Sequence, residues 1–185
     1  MNEPKIAYAS SAAASNTRDT QHRVWRVGAD IDTDALAPGA YMKFGIDEIA
    51  RHCLENQRPD FAPNVQPGDV LVAGPNFGIG SSREQAAAAL VRLGVRAVIA
   101  PAFSGLYFRN AFNVGLLLLT CAEAGRIEEG ALITLDPHAG RIVCADGTTL
   151  ACEPLPSFLL EMVEAGGLLN LLKQRYPTSN GVNPC

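Results

Sequence analysis

The stretch Gly74-Pro75-Asn76-Phe77-Gly78-Ile79-Gly80-Ser81-Ser82-Arg83-Glu84-Gln85 sets two glycines, two hydroxyls and a guanidinium side by side. Gly78 and Gly80 are free to take positive φ or to let a ligand come close to the backbone. Ser81 or Ser82 at a helix N-cap would leave the first helical N–H groups pointing outward, a setting for an anion. Arg83 adds a planar five-donor fork suited to carboxylate or phosphate, and the serines supply hydroxyls that can hydrogen-bond or move a proton. The same Ser-Ser-Arg-Glu also reads as a simple helix cap, with Glu84 or Gln85 closing a capping box and Arg83 solvated. A nucleotide loop is disfavoured, because no Lys follows the second glycine and Gly78-Ile79-Gly80 lacks a third glycine three residues later.

A second candidate is Asp30-Ile31-Asp32-Thr33-Asp34, three carboxylates at alternating positions in a turn-prone stretch closed by Pro38-Gly39. It lacks the glycine and distal glutamate of a calcium loop. Repulsion raises the pKa of one such carboxyl unless a cation or donor is near, so Asp34 or a neighbour is expected to partner an arginine or a proton-transfer group. The alternative is Asp side chains bonding their own backbone in a turn. His22, His52 and His138 sit in no metal-ligand motif and are expected to be structural or at the surface. Cys53, Cys121, Cys144, Cys152 and Cys185 are odd in number, with no C-x-x-C pair, which supports neither a disulfide framework nor a metal or iron–sulfur site made by this chain alone.

The elements that must position these groups follow from periodicity. His22–Val27 alternates and predicts a half-buried strand ending at Gly28; Asp69–Ala73 is a short apolar strand running into the glycine turn; strong helix formers follow it. Leu93-Gly94 closes that helix and Val95–Ala100 begins another buried strand, making a β–α–β unit. Loops at the carboxyl ends of its strands share one sheet edge, which places Ser81 near Pro101-Ala102-Phe103-Ser104. A helical stripe over Ile46–Asn56 precedes the proline-rich break Pro59–Pro67. Ser104–Val114 predicts a helix with Tyr107 and Phe108 in the core and Arg109 solvated, and Leu116–Thr120 a buried strand. Short strands over Ala131–Leu135, Arg141–Ala145 and Thr148–Cys152 predict a β-meander, and Pro156–Tyr176 a helix broken at Gly166-Gly167.

At 185 residues the chain has length for one well-buried domain, expected over 22–176 between an N-terminal arm, 1–21, and a polar tail, 177–185. Hydrophobic residues are 48%, charged residues 18% and net charge −4, a balance without the basic surface that nucleic acid requires. No apolar run approaches the roughly 20 residues that span a bilayer, and the N-terminal stretch has no continuous secretory core, so a cytoplasmic protein is expected.

Five motifs in order, Asp30–Asp34, Pro38-Gly39-Ala40-Tyr41, Asn76–Glu84, Val95–Ala100 and Phe103–Leu119, carry a resemblance. The chain resembles the small subunits of 3-isopropylmalate dehydratase (isopropylmalate isomerase), a separate-chain form of the swivelling domain of the aconitase superfamily. The match spans roughly Arg23 to Ala151. It implies an α/β swivelling domain with β/β/α layers, a central β–α–β unit and a C-terminal β-meander. It also implies a large partner subunit that holds a [4Fe–4S] cluster with its own cysteines, this chain binding no cofactor. Ser81 matches the general base for the α-proton, Arg83 a carboxylate clamp, Ser82 a substrate-contacting position and Asp34 an active-site charge that orients the others. A serine base needs its alkoxide stabilised, and a helix N-terminus beside Arg83 would do so. Gln85 stands where many members carry His. Lys43, in the loop where members differ by substrate, stands where isopropylmalate enzymes carry an apolar residue and tricarboxylate enzymes an arginine. The implied reaction is a dehydration and rehydration that isomerises 2- and 3-isopropylmalate in leucine biosynthesis. Alternatives are another small hydroxy diacid of the methylmalate, maleate or homocitrate type, or a non-catalytic anion-binding module.

Overall fold

The computed structural model describes residues 20–177. The expected arm, but for Thr20 and Gln21, and the expected tail, but for Pro177, lie outside the described residues. Strand β1 (Gln21–Arg26) begins one residue before the position that alternation predicted. After it come α1 (Thr33–Leu36), a 3₁₀ segment (Gly39–Phe44), α2 (Ile46–Arg51) and α3 (Phe61–Asn64). The central unit is β2 (Val70–Val72), α4 (Glu84–Arg92), β3 (Ala97–Ala100), α5 (Gly105–Asn113) and β4 (Leu117–Thr120). The meander is β5 (Leu132–Asp136), β6 (Arg141–Cys144) and β7 (Thr149–Ala151), followed by α6 (Ser157–Glu164) and α7 (Leu168–Arg175).

All seven strands join one sheet in the order β4-β3-β2-β1-β5-β6-β7. Strand β1 changes partner along its length: Val24, Trp25 and Arg26 pair in parallel with β2, whereas Gln21, His22 and Arg23 pair antiparallel with β5. The two halves therefore bury differently. Strands β2 and β3 are buried at every residue, as parallel strands covered on both faces must be, while β7 alternates exposed and buried. The sheet curls until its edge strands meet, the Glu153 N–H after β7 donating to the Thr120 carbonyl of β4 at 2.8 Å. The two β layers of the expected architecture are the two halves of this one curled sheet.

Two local departures have clear causes. Asp30–Asp34 is not all turn, because Asp32 accepts a hydrogen bond from the Ala35 N–H and caps α1. Within Pro59–Pro67 a single helical turn, α3, places Phe61 edge-on against Trp25, ring centroids 5.4 Å apart, where Phe61 is wholly buried. The Ala-rich face of α4, Ala86, Ala87 and Ala89 with Leu90, is buried against α1, α2 and α5, since small side chains let helices approach closely. Asp69 ties β1 to β2. Its Oδ2 accepts from Arg23 Nη2 at 2.5 Å, Trp25 Nε1 at 2.8 Å and the Gln66 N–H at 2.9 Å.

Candidate active site

The glycine turn lies between two other loops at the carboxyl ends of the parallel strands. On the β1 side, the Gly78 N–H donates to Ile31 O at 2.7 Å and the Thr33 N–H to Ile79 O at 2.8 Å. On the β3 side, the Phe77 N–H donates to Ala102 O and the Ser104 N–H to Phe77 O. The acidic stretch and the glycine turn are thus sewn together by backbone hydrogen bonds. Ser81, expected near Pro101–Ser104, makes no hydrogen bond to that stretch among the described residues; the turn meets it through Phe77, whose buried ring also meets Phe103 and Tyr107 edge-on.

Both glycines are required. Gly78 has φ +79°, and a Cβ there would stand 2.2 Å from Cγ of Tyr107 in α5. Gly80 has φ +100°, and its Cβ would meet Thr33 Oγ1 at 3.2 Å. An L side chain is strained at such φ, and at Gly78 it would also displace a core ring.

The three carboxylates divide their work. Asp30, itself at φ +56°, accepts from Asn76 Nδ2 at 2.8 Å, and Asp32 caps α1. Only Asp34 meets the arginine. Arg83 Nη1 donates to Asp34 Oδ1 at 2.5 Å and to the Ala37 carbonyl at 2.9 Å, while the Gly39 N–H reaches the same Asp34 oxygen at 3.2 Å. The hydrogen bond from Arg83 is the main cause that holds the Asp34 carboxyl below its ordinary range, with Gly39 adding to it. Arg83 Nε and Nη2 make no hydrogen bond among the described residues, so one edge of the guanidinium is anchored and the other is open.

Ser81 and Ser82, which precede Arg83 in the turn, are exposed. Neither is the N-cap: the helix starts at Glu84, Arg83 occupies the cap with φ −90° and ψ +111°, and no side chain caps α4. The reason is local. The Arg83 N–H turns back to the Ser81 carbonyl at 2.7 Å, which holds both serines in the turn before the helix. Asn110, buried on α5, donates its Nδ2 to Ser82 Oγ at 3.4 Å, a long contact. Sequence reasoning gave Asn110 no site role, although a polar residue at the same helical face as Tyr107 and Ala111 was a signal. The Ala37 carbonyl left none, because any residue type supplies one.

Lys43 lies in the exposed part of the 3₁₀ segment, its ammonium 4.9 Å from the centre of the Phe44 ring, which is itself 60% exposed. At the start of that segment Tyr41 stacks flat on His52, centroids 3.5 Å apart, and His52 contacts Glu55 at 2.6 Å and Glu48 at 3.4 Å. Among the described residues no three His, Cys, Asp or Glu side chains are grouped to hold a metal ion. The Cys53 thiol is wholly buried, and burial pushes its pKa far up.

A sequence profile of the aconitase C-terminal domain matches residues 43–124. The 3-isopropylmalate dehydratase small subunit of Halothermothrix orenii is 44% identical over 82% of this chain and 93% of its own length. The chain belongs to the 3-isopropylmalate dehydratase small-subunit family. A 3-isopropylmalate dehydratase small subunit of Archaeoglobus fulgidus is 45% identical, covering 82% of this chain and 95% of that one. The crystal structure of a 3-isopropylmalate dehydratase (leuD) from Methanocaldococcus jannaschii superposes with a TM-score of 0.79 at 40% identity, covering 85% of this chain and 95% of that one. A methanogen homoaconitase small subunit from Methanothermobacter thermautotrophicus is 42% identical over 80% of this chain and 87% of its own length. The family and its α/β fold are those that the five motifs indicated.

Proposed function

We propose that this chain is the small subunit of a 3-isopropylmalate dehydratase, a hydro-lyase that interconverts 2- and 3-isopropylmalate and acts in leucine biosynthesis in the cytoplasm. The observation that carries the reading is the half-anchored guanidinium. Asp34 and the Ala37 carbonyl fix one Nη of Arg83, leaving its Nε and other Nη without a partner among the described residues, in the same turn as two exposed serines. A planar fork held from behind is preorganised for a carboxylate, because little side-chain freedom remains to be lost on binding. Ser81 is the group that takes the α-proton, Ser82 contacts the substrate, and Asp34 is the charge that orients the clamp. Ser81 is not at a helix N-terminus, so its alkoxide is favoured by the Arg83 charge and by what closes over the site.

The exposed Ser81 edge suits a half-site. A large subunit completes it, and its [4Fe–4S] cluster supplies a Lewis acid for the hydroxyl that leaves. This chain's part is to hold a carboxylate and move a proton.

Lys43 bears on the substrate. Its ammonium rests over Phe44 rather than on a carboxylate, which favours an apolar variable group beside its stem. The test is to mix the chain with its large subunit after anaerobic cluster reconstitution, and to assay isopropylmalate and homocitrate with wild type and Lys43→Leu. Activity on isopropylmalate, kept or improved by the substitution, is expected. A wild-type preference for homocitrate that the substitution abolishes would overturn the substrate, and no activity on any small hydroxy diacid would leave an anion-binding module.

A further inference from the structure

At the amino ends of the parallel strands, the edge away from Ser81, a cavity of about 300 Å³ opens between β1, β4, β5 and α6. Leu117, Leu135, Leu160 and Val163 give it an apolar wall. Arg96, just before β3, lines it too, and the Arg96 side chain makes no hydrogen bond or ion pair among the described residues; only its backbone N–H is used, on the Asp69 carbonyl at 2.8 Å. A free guanidinium beside an apolar wall is a site for an anion with an apolar body.

Two acceptors face the same space. His22 Nδ1 lies 2.6 Å from the Gly68 carbonyl, and since a carbonyl only accepts, the ring proton sits on Nδ1 and leaves Nε2 as the acceptor. Burial, with the Arg96 charge adding to it against the Gly68 and Asp69 contributions, lowers the pKa of His22 and keeps the ring neutral. Glu164 Oε1 lies 3.1 Å from His138 Nε2, and its Oε2 has no partner among the described residues. Both residues line the cavity.

We propose that this cavity binds a small aliphatic carboxylate bearing a hydrogen-bond donor, an ammonium or a hydroxyl, on its α-carbon. The carboxylate meets Arg96, the donor meets His22 Nε2 or Glu164, and the tail covers the leucines and Val163. A volume at the low end for ligand sites fits an acid of this size and excludes a nucleotide. Inorganic phosphate would leave the wall uncovered, and Arg96 disfavours a simple cation. The inference stands apart from the reaction proposed above, since none of its residues lies on the Ser81 edge.

The test uses the full chain, titrated with L-valine, 2-hydroxy-3-methylbutanoate, 3-methyl-2-oxobutanoate and acetate, with amide shifts and calorimetry as readouts. Saturable binding of valine, the hydroxy acid or both is expected, shifting the amides of His22, Arg96, Leu117 and Leu135. The oxo acid, which has no donor, and acetate, which has no tail, should bind more weakly. Arg96→Gln, checked for an unchanged fold by its spectrum, should weaken binding about 10- to 100-fold, the worth of a charge-assisted pair. The proposal is overturned by no saturable shift up to about 10 mM ligand, by shifts confined to Ser81–Arg83, by equal binding of the oxo acid, or by unchanged affinity in Arg96→Gln.

Discussion

In the proposed mechanism Ser81 is the group that reacts and Asp34 the one that positions. Ser81→Ala removes a hydroxyl and little volume from an exposed turn, so assembly with the large subunit should survive while turnover falls about 100- to 10,000-fold, as for loss of a positioned base. Near-normal turnover in that variant would take Ser81 out of the mechanism. Asp34→Asn leaves a side chain that can still accept from Arg83 but without charge, so it loosens the clamp and should raise KM more than it lowers kcat. Because Arg83 depresses the Asp34 pKa, the carboxylate stays ionised at every pH above about 4, and the sign follows: its contribution is present above the unfolded value near 3.9 and is lost only as pH falls through the lower folded value. Wild type and Asp34→Asn should therefore show the same pH–rate shape from about pH 5 to 9. A limb of that profile that vanishes in the variant would count against the assignment.

At the scale of elements, the turn and α5 are one packed unit. Gly78→Ala must move the Tyr107 ring or the turn, and should destabilise the chain by about 1–3 kcal/mol, in the range of overpacking and positive-φ strain. Tyr107 also carries a buried hydroxyl without a hydrogen-bond partner among the described residues. Tyr107→Phe removes that unsatisfied group and keeps the ring edge-on to Phe77, so it should be neutral or stabilising by about 1 kcal/mol in urea unfolding. A loss of more than that would mean that the hydroxyl holds a bridging water. The serines' place is an element property as well. Their types allow an N-cap, but the tight return of Arg83 N–H to Ser81 O moves the helix start to Glu84.

Across the whole molecule, Asp69 joins the edges of two strands far apart in sequence. Burial alone would raise its pKa, but hydrogen bonds from Arg23, the Gln66 N–H and Trp25 outweigh burial and hold it low. Asp69→Asn should cost about 1–3 kcal/mol at neutral pH, toward the low end because Arg23 is 41% exposed. That gap should begin to narrow as pH falls below about 4, where the unfolded chain's carboxyl takes up a proton, and close as pH falls on through the lower folded value; a gap that stays constant to pH 2 would show that the charge is not what is lost. Local sequence determined much here. Period-2 and continuous apolar runs located the strands, the Ala-rich stretch located α4, and glycine spacing picked out the turn, because these signals are set by each residue's own backbone and burial preferences. The ordered motifs determined the family. Tertiary structure alone decided that one strand, β1, serves both a parallel and an antiparallel half, since its pairing depends on segments as far as 113 residues away, Gln21 opposite Thr134. It also decided which of three similar aspartates meets Arg83, because Asp30, Asp32 and Asp34 differ only in what the folded chain brings beside them: Asn76, the start of α1 and a guanidinium held also by a backbone carbonyl.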